Sequence, residues 1–202
     1  MFIAFEGIDA CGKSTQIQLF AEYIKKRGFK YTTVREPGGT KLGEKIREIL
    51  INEDMNSRSE LLLFLASRAQ LVEEVIKPAL KRGEIVIADR FADSSVAYQG
   101  GARGLGVEIV QRLNDFATDN VYPNLIFFID IPVEIAIQRL EKNQKDRIEK
   151  EGAKFFEIVR ETYLKLAKNN KNFVIIDGND DINEIHRRIV EHFELRTKSL
   201  NH

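Results

Sequence analysis

The stretch Gly7-Ile8-Asp9-Ala10-Cys11-Gly12-Lys13-Ser14-Thr15 reads G-x-x-x-x-G-K-S, residue types spaced to hold a chain of phosphates. Glycine at 7 and 12 permits backbone conformations that a side chain would forbid, so several N–H groups can converge on one anion. A helix starting at the end of the loop adds its positive N-terminus. Lys13 supplies a mobile positive charge for β- and γ-phosphates, and Ser14 a hydroxyl for Mg²⁺. A glycine-rich turn with an incidental lysine would show the same letters, but the flanks support the chemical reading. Phe2-Ile3-Ala4-Phe5 suits a buried strand, and residues 15–27 put Ile17, Phe20, Ala21 and Ile24 on one helical face.

Two further polar clusters follow apolar runs. Arg35-Glu36-Pro37-Gly38-Gly39-Thr40 comes after Tyr31-Thr32-Thr33-Val34, and Asp89-Arg90 closes Glu84-Ile85-Val86-Ile87-Ala88. Guanidinium groups make forked contacts with oxyanions, so Arg90 and Arg47 are candidates for a second phosphate. Arg47 reads equally well as a solvated helix residue, and Arg90 has a structural ion pair as its alternative. Phe64 and Arg68 lie four apart on one predicted helix and share a face. An aromatic plate beside a forked donor can stack a base and read its carbonyl. Phe64 alone reads as core, but an arginine inside an apolar stripe needs a partner.

The elements that must position these groups alternate along the chain. Strands are predicted at 2–5, 31–34, 84–89, 125–130 and 173–177. Helices are predicted at 15–27, 41–52 (capped by Thr40), from Ser57 or Ser59 to about Lys81, and at 107–120, 132–139, 155–169 and 181–195. Pro78 is expected to kink the third helix, whose apolar residues cover more than one stripe. Residues 94–101 read as a short helix ended by Gly100 and Gly101, residues 141–152 as a charged mobile segment, and the tail from Arg196 as frayed. This order predicts a doubly wound α/β fold with a five-stranded parallel sheet and helices on both faces. Its site lies at the carboxyl ends of the strands, where Asp9, Arg35-Glu36 and Asp89-Arg90 fall.

Composition narrows the classes. At 202 residues the chain suits a single domain, 43% hydrophobic and 31% charged. Thirty-one basic and 31 acidic residues cancel, which argues against a bulk nucleic-acid binder. Cys11 is the only cysteine, so no intramolecular disulfide forms. No apolar run approaches the roughly 20 residues of a membrane span and no signal pattern opens the chain, so the expected location is the cytoplasm. The guanine-reading Asn-Lys-x-Asp element of GTPases is absent. A small chain with arginines near its strand ends suggests a second phosphorylated substrate.

Asp9 in the phosphate loop, the R-E-P-G-G-T run at 35–40, and Asp89-Arg90 followed by Ser94-Ser95-x-Ala97-Tyr98-Gln99-Gly100-Gly101 resemble the thymidylate kinases, from residue 1 to about 177. The last two blocks are far more specific than the loop. The resemblance implies a P-loop nucleoside monophosphate kinase-like domain spanning 1–202. It also implies transfer of the ATP γ-phosphate to dTMP with Mg²⁺, in dTTP biosynthesis, by a homodimer without nucleic acid or membrane partners. Carried over by position, residues 7–15 hold ATP, Asp9 meets the deoxyribose 3′-hydroxyl, and Glu36 and Pro37 line the nucleotide site. Arg47 and Arg90 hold the dTMP phosphate, and Phe64 stacks on thymine. Arg68 bonds a thymine carbonyl, Ser95 and Gln99 complete the edge, and Tyr98 disfavours a ribose hydroxyl. Ser14 and Asp89 bind or orient Mg²⁺. A kinase for another monophosphate such as dUMP, or a nucleotide-binding module without turnover, are the alternatives.

The family has two placements for its catalytic arginine. One follows the loop aspartate, and here that position is Ala10. The other lies in a lid of about residues 141–152, and Asp146-Arg147-Ile148-Glu149 resembles the lid end of the bacterial type. Arg147 is the expected catalytic arginine, with Lys142, Lys145 and Arg139 as alternatives. Arg139 is otherwise expected to pack on adenine.

Overall fold

The computed structural model describes residues 1–141 and 146–200, with side chains through Lys198. Five strands, β1 (Phe2–Glu6), β2 (Tyr31–Arg35), β3 (Ile85–Asp89), β4 (Leu125–Asp130) and β5 (Phe173–Asp177), form one parallel sheet in the order β2-β3-β1-β4-β5. Strand β1 is central and apolar until its last residue, as a strand covered on both faces must be. Phe2, Ala4, Val86, Ala88 and Ile126 point into one core, and Ile3, Phe5, Ile87, Leu125 and Phe127 into the other. Register brings the strand ends level: Phe5 pairs with Asp89, and Asp89 with Arg35. Three of the polar strand ends therefore meet on one edge, where the connections out of β1 and β3 diverge.

Helix α1 (Lys13–Lys26) leaves the phosphate loop directly. Helix α2 (Lys41–Asn52) starts at Thr40, whose hydroxyl accepts from the Gly43 N–H at 2.9 Å. Such a cap contributes about 1 kcal/mol. Helix α3 (Ser57–Leu71) opens at Ser57, the first of the two expected starts, and is capped by Asn56, which accepts from the amides of Arg58 and Ser59. After α3 the chain widens into a π-helical stretch, Val72–Ile76, before α4 (Lys77–Lys81). Pro78 has no N–H for a carbonyl four residues back, and the wider turn precedes it.

The segment after β3 departs most from expectation. Helix α5 (Ala92–Ser95) continues as a π-helical stretch, Val96–Ala102, so Gly100 and Gly101 do not end it. Their smallness serves packing: a Cβ on Gly101 would lie 2.4 Å from Thr162 Oγ1 on α8 (Ala153–Asn169). Helix α6 (Val107–Thr118) ends in two left-handed residues, Asp119 and Asn120, and α7 (Val133–Leu140) begins after Pro132. Helix α9 (Ile182–Leu200) runs through the expected frayed tail, and Arg196 Nη2 donates to the Lys171 carbonyl at 3.1 Å. No helix among the described residues is long and apolar enough to cross a membrane.

Candidate active site

Gly7 takes φ 146°, and a Cβ there would lie 2.6 Å from the Ile129 carbonyl oxygen and 2.7 Å from Cys11 Sγ. The loop closes only with glycine at this position. Gly12 is left-handed at φ 101°, and so is Ala10 at 61°, a strained geometry that no motif reading revealed. Lys13 is buried and its Nζ donates to the carbonyls of Gly7 and Ile8, both at 3.1 Å. Ser14 and Thr15 are exposed at the first turn of α1. Ser14 Oγ lies 3.4 Å from Asp89 Oδ2. These are hard oxygen donors side by side, and no cluster of three or more metal-binding side chains exists among the described residues. Two oxygens fit Mg²⁺, which is held largely by phosphates and water.

A built cluster ties the loop to the segment after β3. Arg90 follows β3 in a left-handed conformation, φ 67°. Its Nη2 donates to Asp9 Oδ1 at 2.5 Å and its Nη1 to the Gly7 carbonyl at 2.9 Å. The Tyr98 hydroxyl donates to Asp9 Oδ2 at 2.8 Å, and the guanidinium lies 5.0 Å from the Tyr98 ring centre. Burial would raise the Asp9 carboxyl, but the charges of Arg90 and Lys13 and the Tyr98 hydrogen bond outweigh it and hold Asp9 below its ordinary range. Arg47 is half-buried, donates to the Pro37 carbonyl at 3.1 Å, and is lowered by burial and by the like charge of Arg35. It is not a fully solvated helix residue.

Phe64 and Arg68 share a face of α3 as their spacing requires, but their surroundings differ. Phe64 belongs to no core cluster and lines the cavity. Arg68 is 1% exposed, and its donors are occupied. Nε donates to Glu36 at 2.8 Å, Nη1 to Asn114 Oδ1 at 2.6 Å and Ser95 Oγ at 3.1 Å, and Nη2 to the Phe91 carbonyl at 3.2 Å. The partner that an arginine in an apolar stripe requires is Glu36, which is buried as well. Burial raises the Glu36 carboxyl, and the Arg68 charge pulls against it. Arg68 therefore reaches a ligand only by sharing a hydrogen with one of these partners.

One cavity of about 630 Å³ joins the two halves. It is lined by Asp9 to Thr15 on one side, by Glu36, Pro37, Arg47 and Phe64 on another, and by Arg68, Asp89, Arg90, Ser95, Tyr98 and Gln99 between them. Gly7 and Ile8 lie behind the loop and do not line it. Arg139 does: its Nη1 donates to the Ala10 carbonyl at 3.0 Å. Arg147 lies outside the lining. Its Nε donates to the Leu50 carbonyl at 3.1 Å, its Nη1 pairs with Glu60 at 2.7 Å, and its buried Nη2 has no partner among the described residues. The turn that carries it is ordered locally by Asp146 Oδ1, which accepts from the amides of Ile148 and Glu149. Lys142 and Lys145 lie outside the described residues.

Several supporting residues escape motif reading. Glu6 is fully buried at the end of β1 and accepts from the Phe91 N–H at 2.8 Å, Ser94 Oγ at 2.6 Å and the Tyr163 hydroxyl at 2.7 Å. It ties β1 to the turn after Arg90. A charged residue at the end of an otherwise apolar buried strand was the available signal. Glu44 is another: it receives the Gly39 N–H at 2.8 Å and pairs with Arg35 at 2.8 Å, shaping the Pro-Gly-Gly turn.

The family model described as thymidylate kinase matches residues 5–189. A thymidylate kinase of Fervidobacterium nodosum is 65% identical over 193 residues, which is 96% of this chain and 98% of that protein. One of Thermosipho africanus is 64% identical over 94% of this chain and 95% of that one. Among solved structures, the thymidylate kinase of Ehrlichia chaffeensis superposes with a TM-score of 0.79 at 36% identity, covering 96% of this chain and 98% of its own.

Proposed function

This chain belongs to the thymidylate kinase family and phosphorylates dTMP in nucleotide biosynthesis, and we propose that it works by in-line transfer of the ATP γ-phosphate within the cavity that the phosphate loop lines. The observation that carries the mechanism is that the phosphate loop and the Asp9–Arg90–Tyr98 cluster, joined through Asp9 and the Gly7 carbonyl, line the same cavity as Arg47 and Phe64.

On this reading residues 7–15 cradle the ATP phosphates. Lys13 releases its two loop carbonyls and turns to the β- and γ-phosphates. Ser14 would hold Mg²⁺ with Asp89 beside it, and the ion would supply charge neutralisation between phosphate oxygens. Arg90 and Arg47 hold the dTMP phosphate. Asp9, kept ionised by Arg90, accepts the 3′-hydroxyl, and Tyr98 closes the space beside the sugar. Phe64 stacks on thymine, with Arg68, Ser95 and Gln99 at its edge and Glu36 and Pro37 in the wall. The acceptor is already an anion at neutral pH, so positioning and charge stabilisation suffice without a strong base. Arg147 is the transition-state arginine of this scheme, which requires its turn to exchange Glu60 for the phosphates. Closure over about residues 141–152 would also exclude water.

A homodimer and a cytoplasmic location belong to the same proposal. Leu62 on α3 is 60% exposed, and Ile109 and Phe116 on α6 are 53% and 88% exposed, an apolar surface suited to a second copy. A monomer in sedimentation at micromolar concentration would reject the dimer. The catalytic reading is tested by ADP formation from ATP and Mg²⁺ with each nucleoside monophosphate offered in turn. Turnover that depends on dTMP is expected, and turnover only with another monophosphate, or none, would overturn it.

A further inference from the structure

Glu60 lies in the first turn of α3, is 1% exposed, and touches none of the groups assigned above to phosphate chemistry except Arg147. Its carboxylate accepts from three side chains on other segments. Gln99 Nε2 donates at 2.8 Å, Arg103 Nε at 3.2 Å and Arg147 Nη1 at 2.7 Å. Burial would raise its carboxyl, but the hydrogen bonds from Gln99 and Arg103 and the Arg103 charge hold it below the ordinary range. Glu60 is thus ionised at neutral pH and has no proton to give. The amide of Gln99 has one way to meet it, with the NH₂ group forward.

That constraint has a consequence at the other atom of the amide. With Nε2 committed to Glu60, Oε1 is the free end of a side chain that lines the cavity beside Ser95 and Phe64. No partner among the described residues takes it. An acceptor there meets the N3–H of thymine or uracil and opposes the N3 lone pair of cytosine. Without the carboxylate, the planar amide could rotate by half a turn and present a donor instead, because its two ends are nearly the same size.

We propose that Glu60 is a positioning residue for base selection, clamping Gln99 so that the site accepts pyrimidines bearing an N3–H and rejects those with an N3 lone pair. The proposal rests on the dTMP reading of the cavity. It names a buried residue that acts on the base through Gln99, apart from its ion pair with Arg147.

The test is ADP formation with dTMP, dUMP and dCMP by the wild type, Glu60→Ala and Glu60→Gln. In Glu60→Ala the preference for dTMP over dCMP in kcat/KM falls by about tenfold or more, mainly through KM. The preference for dTMP over dUMP stays within about twofold, since both bases carry N3–H. Glu60→Gln falls between, because a pair of amides can be satisfied in either orientation. Equal proportional losses for dTMP and dCMP in the variants, or an unchanged ratio, would overturn the proposal and leave Glu60 a structural residue. If Glu60→Ala fails to fold, the ratio for Glu60→Gln against wild type decides. A wild type without dTMP-dependent turnover would sink the kinase reading, and this proposal with it.

Discussion

The two halves of the cavity are built on different principles. The phosphate loop is local: nine consecutive residues, shaped by glycine conformations and closed by Lys13 on its own carbonyls. The acceptor half is assembled from distant segments. Arg90 reaches Asp9 across 81 positions, Arg68 reaches Glu36 across 32, and Gln99 reaches Glu60 across 39. The loop's main cation is bonded only to groups of its own loop. On the other side Arg90, Arg68 and Gln99 are each held by a carboxylate from another segment.

The contrast predicts that the loop fails chemically, and that the buried ion-paired groups of the acceptor half fail structurally. Lys13→Ala should lower kcat by a factor on the order of 10³ or more with the fold retained. Wild-type-like turnover would remove the loop from the chemistry. Arg147→Ala should lower kcat by a factor on the order of 10³. A drop below tenfold would move the role to Arg139, already on the loop, or to Lys142 or Lys145. Arg68→Ala should unfold the acceptor half, costing about 3–5 kcal/mol in denaturant titration because Glu36 is left buried and unpaired. A loss under 1 kcal/mol would show that the ion pair is not structural. Phe64→Ala should weaken dTMP binding about tenfold with little loss of stability, since the ring faces the cavity. Unfolding would make it core after all.

The smallest expected effect concerns Asp93, half-buried beside the acceptor cluster and pushed up to about 7 by burial and by the neighbouring charge of Glu6. A carboxyl raised on folding binds its proton more tightly in the native state. Its contribution is therefore most favourable at low pH and declines as pH rises from about 4 through 7. Asp93→Asn should raise stability by about 1 kcal/mol at pH 8, a figure discounted for partial exposure, and by nearly nothing at pH 4. Equal effects at both pH values would mean that the side chain's packing, and not its charge, is responsible.

Much of the fold was legible because its signals are short-range. Each strand is an apolar run, and alternation with helices restricts the topology to a parallel sheet. The misses have physical causes. Gly100 and Gly101 looked like helix ends, yet a close approach by Thr162 explains Gly101. Phe64 and Arg68 share one face and both line the cavity, but spacing could not say that the guanidinium is already paired with Glu36 while the ring has no such partner among the described residues.

The amino-acid sequence by itself determined the phosphate-loop motif, the polar strand ends that share one sheet edge, and the family, because each of these is carried by motifs whose residues lie within a few positions of one another. Only the tertiary structure decided the partners: Glu36 for Arg68, Asp9 for Arg90, and Glu60 for both Gln99 and Arg147. A hydrogen bond depends on distances of a few tenths of an ångström between groups dozens of residues apart. Those distances exist only once the sheet register and helix packing have set them.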